Sequence, residues 1–171
     1  HPADTKACEK MGRLYDHIQI INRYENHDEK HTLNVFLTRL LFCFFAEDTG
    51  IFPEQNQMVK ALKSVTQENG SDVAEFFEKL FTVLDLPSDA PERTAFSATF
   101  QSFPYVNGGL FKEKTVIPTF DAKARRLLLD CGFLTWSDIS PVIFGSMFQS
   151  IMDPDKRRSL GVHYTSEKNI L

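Results

Sequence analysis

Two histidines stand at i and i+4 in His27-Asp28-Glu29-Lys30-His31, a spacing that lets one helical face offer both rings to a metal ion. A zinc peptidase helix needs glutamate directly after the first histidine, and Asp28 occupies that place. The plainer reading is preferred: Asp28 begins a helix, and both histidines lie on its solvated start. Glu47-Asp48 could be a pair of catalytic carboxylates, with His31 as a third member. Acids at a helix C-terminus oppose the macrodipole, so they need partners, Arg39 or a nearby backbone N–H. Structural pairing is therefore the preferred reading of that pair. Arg125-Arg126 and Lys156-Arg157-Arg158 could rest on phosphates, although such short basic clusters are more often solvated surface.

Some chemistry is excluded outright. The chain contains no E-x-K, so a D…E-x-K nuclease centre cannot be assembled from it, and no G-x-G, which removes the usual nucleotide fingerprints. Cys8, Cys43 and Cys131 are widely spaced and form no C-x-x-C, suggesting neither a disulfide framework nor a thiolate zinc site. A reducing cytoplasm fits that usage. With 19 basic against 23 acidic residues, the net charge of -4 argues against binding nucleic acid through bulk positive charge. No apolar run approaches the roughly 20 residues needed to cross a bilayer.

The elements that would position these residues read as helices. The chain is 42% apolar with 16 Phe, enough for one core. Met11, Leu14, Tyr15, Ile18 and Ile21 recur at spacings of three and four, predicting an amphipathic helix from Asp4 to about Tyr24. "TLNVFLTRLLFCFFAE", about Thr32 to Glu47, is apolar nearly all round and predicts a central helix, stopped by Gly50 and Pro53. Further helices are expected from about Glu54 to Glu68 and, capped by Ser71, to about Leu84. Leu86 to Phe96, with Pro87 and Pro91, reads as an irregular connection. Asn107-Gly108 inside "FPYVNGGLF" signals a short β-hairpin over 103–111. Asp121 caps a helix to about Asp130, and Ser140-Pro141 opens another with Ile143, Phe144, Met147, Phe148 and Ile151 on one face. The expected fold is all-α: a multi-helix bundle around a Phe-rich central helix, with that one hairpin.

Three stretches acquire a further meaning together: "FLTRLLFCFFAEDTGIF" (Phe36 to Phe52), "FPYVNGGLF" (Phe103 to Phe111) and "WSDISPVIFGSMFQSIMDPDKRRSLGVHYTSEKNIL" (Trp136 to Leu171). In this order and spacing the chain resembles the segment before the methyltransferase domain of MmeI-type proteins, single-chain restriction-modification enzymes with related DNA adenine-N6 methyltransferases. The resemblance implies a helical spacer over 1–135, then over 136–171 a helix and loop leading into a methyltransferase domain truncated at 171. The missing initiator Met and the helix cut off after one turn at Leu171 agree with a piece of a longer protein. The resemblance also implies that "GVHYTSEKNIL" is the first motif contacting S-adenosylmethionine. Gly161 would allow close backbone approach, Tyr164 an aromatic wall, and Thr165 the cap of a helix whose free N–H groups face the methionine carboxylate. Ser166 stands where many relatives carry proline. The catalytic motif would lie beyond Leu171 and any nuclease before His1, so the segment alone should bind no cofactor and methylate nothing. Its partners would be double-stranded DNA, through the full-length protein, and the neighbouring nuclease and methyltransferase domains. Lys156, Arg157 and Arg158 are the candidate phosphate contacts. The alternative is a helical protein-interaction module without a cofactor role.

Overall fold

The structure, a computed structural model, describes residues 2–140, 142, 144–153 and 155. Its α-helices are α1 (Pro2–Asn22), α2 (His27–Thr49), α3 (Gln57–Val65), α4 (Val73–Leu84), α5 (Ala98–Gln101), α6 (Ala122–Gly132) and α7 (Phe144–Met152), with 3-10 turns at Pro91–Ala95 and Trp136–Asp138. Among the described residues there is no strand, and the fold is all-α. No helix among them is long and apolar enough to cross a membrane.

α1 turns Ala7, Met11, Leu14, Tyr15 and Ile18 inward and packs against α6 and α7. It ends at Asn22, where Arg23 takes a left-handed φ of 55°. The Asn22 side chain then bonds the distant Thr119: its Oδ1 accepts from Thr119 N at 3.0 Å, and its Nδ2 donates to Thr119 O at 3.0 Å. α2 starts at His27 rather than near Thr32, and the cap is Asn26 rather than Asp28. Asn26 Oδ1 accepts from Glu29 N at 2.9 Å, while the Glu29 carboxylate accepts from Asn26 Nδ2 at 2.8 Å. That reciprocal cap satisfies donors a full turn ahead of the apolar run, which is why the helix begins early.

The core is aromatic. Phe36 of α2 meets Phe77 of α4 edge-on at 5.1 Å, Phe52 meets Phe103 at 5.3 Å, and Phe44 stacks on Trp136 at 5.2 Å with rings 18° from parallel. Such pairs contribute about 0.5–1.5 kcal/mol each beyond area burial. α3 is shorter than the periodicity predicts, and Asp72 rather than Ser71 occupies the α4 N-cap. The Asp72 carboxylate faces back to accept from Gln67 N at 2.9 Å. The expected α4 stripe of Val73, Phe76, Phe77, Leu80, Phe81 and Leu84 is buried throughout.

The hairpin over 103–111 is not formed. Gly108 and Gly109 do take positive φ, 106° and 84°, so the chain turns where expected. The flanking backbone, however, is engaged elsewhere: Val106 N donates to Leu84 O at the end of α4 (2.8 Å), and Leu110 O accepts from Arg39 Nε (3.0 Å). Groups that would have laddered across a hairpin instead fasten an irregular loop to α4 and α2.

α6 is capped as read from the sequence, with Asp121 Oδ1 accepting from Ala124 N at 2.8 Å. α7 begins at Phe144 and buries Met147 and Ile151; Pro141 and Ile143, expected at its opening, lie outside the described residues.

Candidate functional site

The two acids at the end of α2 do different jobs. Gly50, at φ 82°, stops the helix in the left-handed conformation and sends the chain back beneath it, Phe52 N donating to Ala46 O at 3.0 Å. The return brings the first turn of α3 under Glu47. Glu47 Oε2 accepts from Met58 N at 2.7 Å and Val59 N at 3.3 Å, so a side chain from one helix caps the start of the next. Asp48 accepts from Trp136 N at 2.7 Å and so caps the 3-10 turn Trp136–Asp138. The partners required by the unfavourable helix end are thus backbone N–H groups, while Arg39 points elsewhere.

Burial sets the titration of this pair. Glu47 is 1% exposed, and loss of hydration outweighs its two backbone bonds, pushing its carboxyl up to about 8. Desolvation also raises Asp48, against the pull of the Trp136 and Ser137 N–H groups. His31 does not join them: His27 and His31 are both exposed at the start of α2. Among the described residues no group of His, Cys, Asp and Glu could hold a metal ion.

Three arginines form internal clamps that the sequence reading missed. Arg39 (2% exposed) donates from Nε to Leu110 O and from Nη2 to Glu113 O (2.6 Å), its guanidinium lying over the rings of Phe81 and Phe111. Arg93 gathers the carbonyls of Val83, Leu86, Pro87, Gln101 and Phe103 around one guanidinium. Arg125, one of the two α6 phosphate candidates, is buried and bonds Thr66 Oγ1 at 3.1 Å and Lys63 O at 3.2 Å, closing the end of α3. It is unavailable to DNA, whereas Arg126 beside it is exposed. The available signal was Arg39 standing inside an apolar run, where a charge must be paired.

An apolar concavity of about 560 Å³ runs between α2 and α7 and is walled by Leu41, Phe42, Phe45, Ile51, Leu110, Phe144 and Phe148. Thr38 supplies its one hydroxyl, which already donates to Asn34 O at 2.8 Å. The groove therefore offers apolar contact and no charge.

Comparison with known proteins places this architecture. The family described as "MmeI, helicase spacer domain" matches residues 31–111, from the first turns of α2 to the loop held by Arg39. Residues 31–111 are an MmeI-type spacer. The chain is 44% identical over 174 residues to DNA methyltransferase A of Bacillus subtilis (strain 168), covering 100% of its own length and 19% of that relative. It also superposes with a TM-score of 0.75 and 44% identity on the Type IIL restriction-modification enzyme MmeI, solved in complex with DNA, over 90% of the chain and 20% of that enzyme. The chain thus spans about a fifth of each longer protein.

The residues assigned to cofactor and phosphate, Gly161, Tyr164, Thr165, Lys156, Arg157 and Arg158, lie outside the described residues.

Proposed function

We propose that this segment is the helical connector of a site-specific DNA adenine-N6 methyltransferase of restriction-modification type, with or without a fused nuclease, working in the cytoplasm. The observation that carries the reading is 44% identity along the whole chain to a DNA methyltransferase. In this reading α2 is the Phe-rich central helix. Residues 1–135 are the spacer, and 136–171 lead into the methyltransferase domain, with Trp136, stacked on Phe44, anchoring the passage between them. The connector holds its neighbouring domains at a set separation on double-stranded DNA.

S-adenosylmethionine supplies the methyl group in such a protein. Gly161, Tyr164 and Thr165 would hold it, the glycine by admitting close backbone approach and the Tyr-Thr pair by opening a helix whose N–H groups receive a carboxylate. The test is calorimetric titration of S-adenosylmethionine into this segment and into a protein extended through the glycine-rich cofactor loop that the resemblance to DNA methyltransferases implies beyond Leu171. Binding is expected only in the extended protein, weakened at least tenfold by Tyr164→Ala. A folded extended protein that does not bind would refute the cofactor assignment.

Lys156, Arg157 and Arg158 would contact DNA phosphates. Reversing all three charges in the full-length protein is expected to lower affinity uniformly across DNA sequences and to flatten its salt dependence by up to three phosphate contacts. An unchanged salt slope would remove them from the interface.

A second reading, a helical protein-interaction module without a cofactor, is favoured by one observation, the uncharged groove between α2 and α7. Failure of the extended protein to bind S-adenosylmethionine, with that groove capturing a protein partner, would bring it first.

A further inference from the structure

Glu47 carries more than a cap. Its side chain enters the turn where α2 hands the chain to α3. One carboxylate oxygen receives Met58 N and Val59 N, while Oε1 is buried and has no hydrogen-bond partner among the described residues. A neutral carboxyl suffers less in that arrangement: Oε2 still accepts, and an unpaired O–H on Oε1 costs far less than a buried charge. A carboxylate leaves an unsolvated negative oxygen, and the cheapest remedy is for water to reach Oε1 by parting α3 from α2.

The surrounding charges do little to relieve it. On α2, Cys43 lies one turn back, fully buried, and Asp48 adds a second acid. From α3, Lys60 pulls the other way but is exposed, and its effect is the smallest of those acting on Glu47. Asp138, on the turn capped by Asp48, adds negative charge to Asp48.

We propose that Glu47 is a proton-operated latch on the α2–α3 junction: the neutral acid keeps the junction closed, and the carboxylate opens it. Opening restores Glu47 to water, so closed and open forms differ in proton affinity. The closed form holds its proton up to about pH 8, while the open form releases it at the ordinary value of 4.5. Between those limits each unit rise in pH favours opening by up to about tenfold, and above the upper one the dependence levels off. Asp48 extends the consequence, because the same helical turn holds the 3-10 turn at Trp136.

The test is amide hydrogen exchange of the intact chain between pH 6 and 9, each rate divided by its intrinsic base-catalysed value. Protection of Met58 and Val59 is expected to fall by up to a hundredfold from pH 6 to 8 and to stay well below that of Leu14 in α1. In Glu47→Gln it should be flat with pH. Equal protection of Met58 and Leu14 at every pH would overturn the latch, as would the same slope in Glu47→Gln. Should that variant not fold, a carboxyl ¹³C titration of Glu47 in the unaltered protein decides: a midpoint near 8 supports the proposal, and one near 4.5 overturns it.

Discussion

Arg93→Ala is expected to destabilise the fold by about 3 kcal/mol, read as a lowered denaturant midpoint with little change in slope. Arg93 is 6% exposed, and its guanidinium donates to five carbonyls, among them Val83 at 2.9 Å, Leu86 at 2.8 Å and Phe103 at 2.8 Å. Those carbonyls lie at the ends of α4 and α5 and in the irregular backbone after each, where the helical ladder has run out. Each one orphaned costs about 1 kcal/mol or more, because water does not reach it readily. Alanine takes the side-chain donor from all five at once; Val83 O keeps Leu86 N and Pro87 O keeps Ala90 N, so the loss falls on the carbonyls of Leu86, Gln101 and Phe103. Arg93→Lys is expected to recover only a minority of the loss, since a single ammonium cannot span carbonyls arrayed around a planar fork. Recovery of full stability by lysine would mean that charge alone, rather than the fork, organises the segment.

Gly70→Ala should cost about 3 kcal/mol or more, measured by thermal or denaturant unfolding. Gly70 has φ +77°, which an L side chain adopts at a cost of about 1 kcal/mol. An added Cβ would also press on the backbone carbonyl of Asp121, which cannot rotate aside as a side chain could. Asp121 is itself fixed from two directions, capping α6 through Ala124 N and meeting His17 Nε2 at 2.9 Å. The strain is therefore expected to reach the α1–α6 interface. Loss of the His17–Asp121 contact by NMR should accompany the drop in stability, and a drop without that change would confine the effect to the turn at Gly70.

How much of this was readable in sequence depends on whether the governing interaction is local. The α1 stripe of Met11, Leu14, Tyr15 and Ile18 is buried as its spacing implies, because helical periodicity is written in adjacent turns. Asp121 caps α6 for the same reason. The hairpin was misjudged where a sound local signal, Asn107-Gly108, competes with remote groups: the Leu84 carbonyl and the Arg39 guanidinium take the backbone a hairpin would have paired. The arginine clamps were invisible for a related reason. Arg125 and Arg126 look alike in sequence, and only the arrival of α3 beside one of them separates a buried clamp from a solvated charge. For the acid pair, the helix-end argument required partners, but which N–H groups they would be depended on the reversal at Gly50. The Tyr164-Thr165 assignment came from resemblance alone, and no local rule in the chain could have produced it.

The placement of α1 has a consequence for how the molecule is made. Its apolar stripe is finished only by α6 and α7, so the earliest of these helices in chain order waits for the last two of them. At translation rates of 5–20 residues per second, Met11, Leu14 and Ile18 stay uncovered for roughly 5–25 s. Folding dominated by such sequence-distant closure is slow for a helical protein and leaves a sticky nascent helix in the meantime. During biogenesis the vulnerable part of this bundle is thus its beginning, and chaperone capture or aggregation should start there.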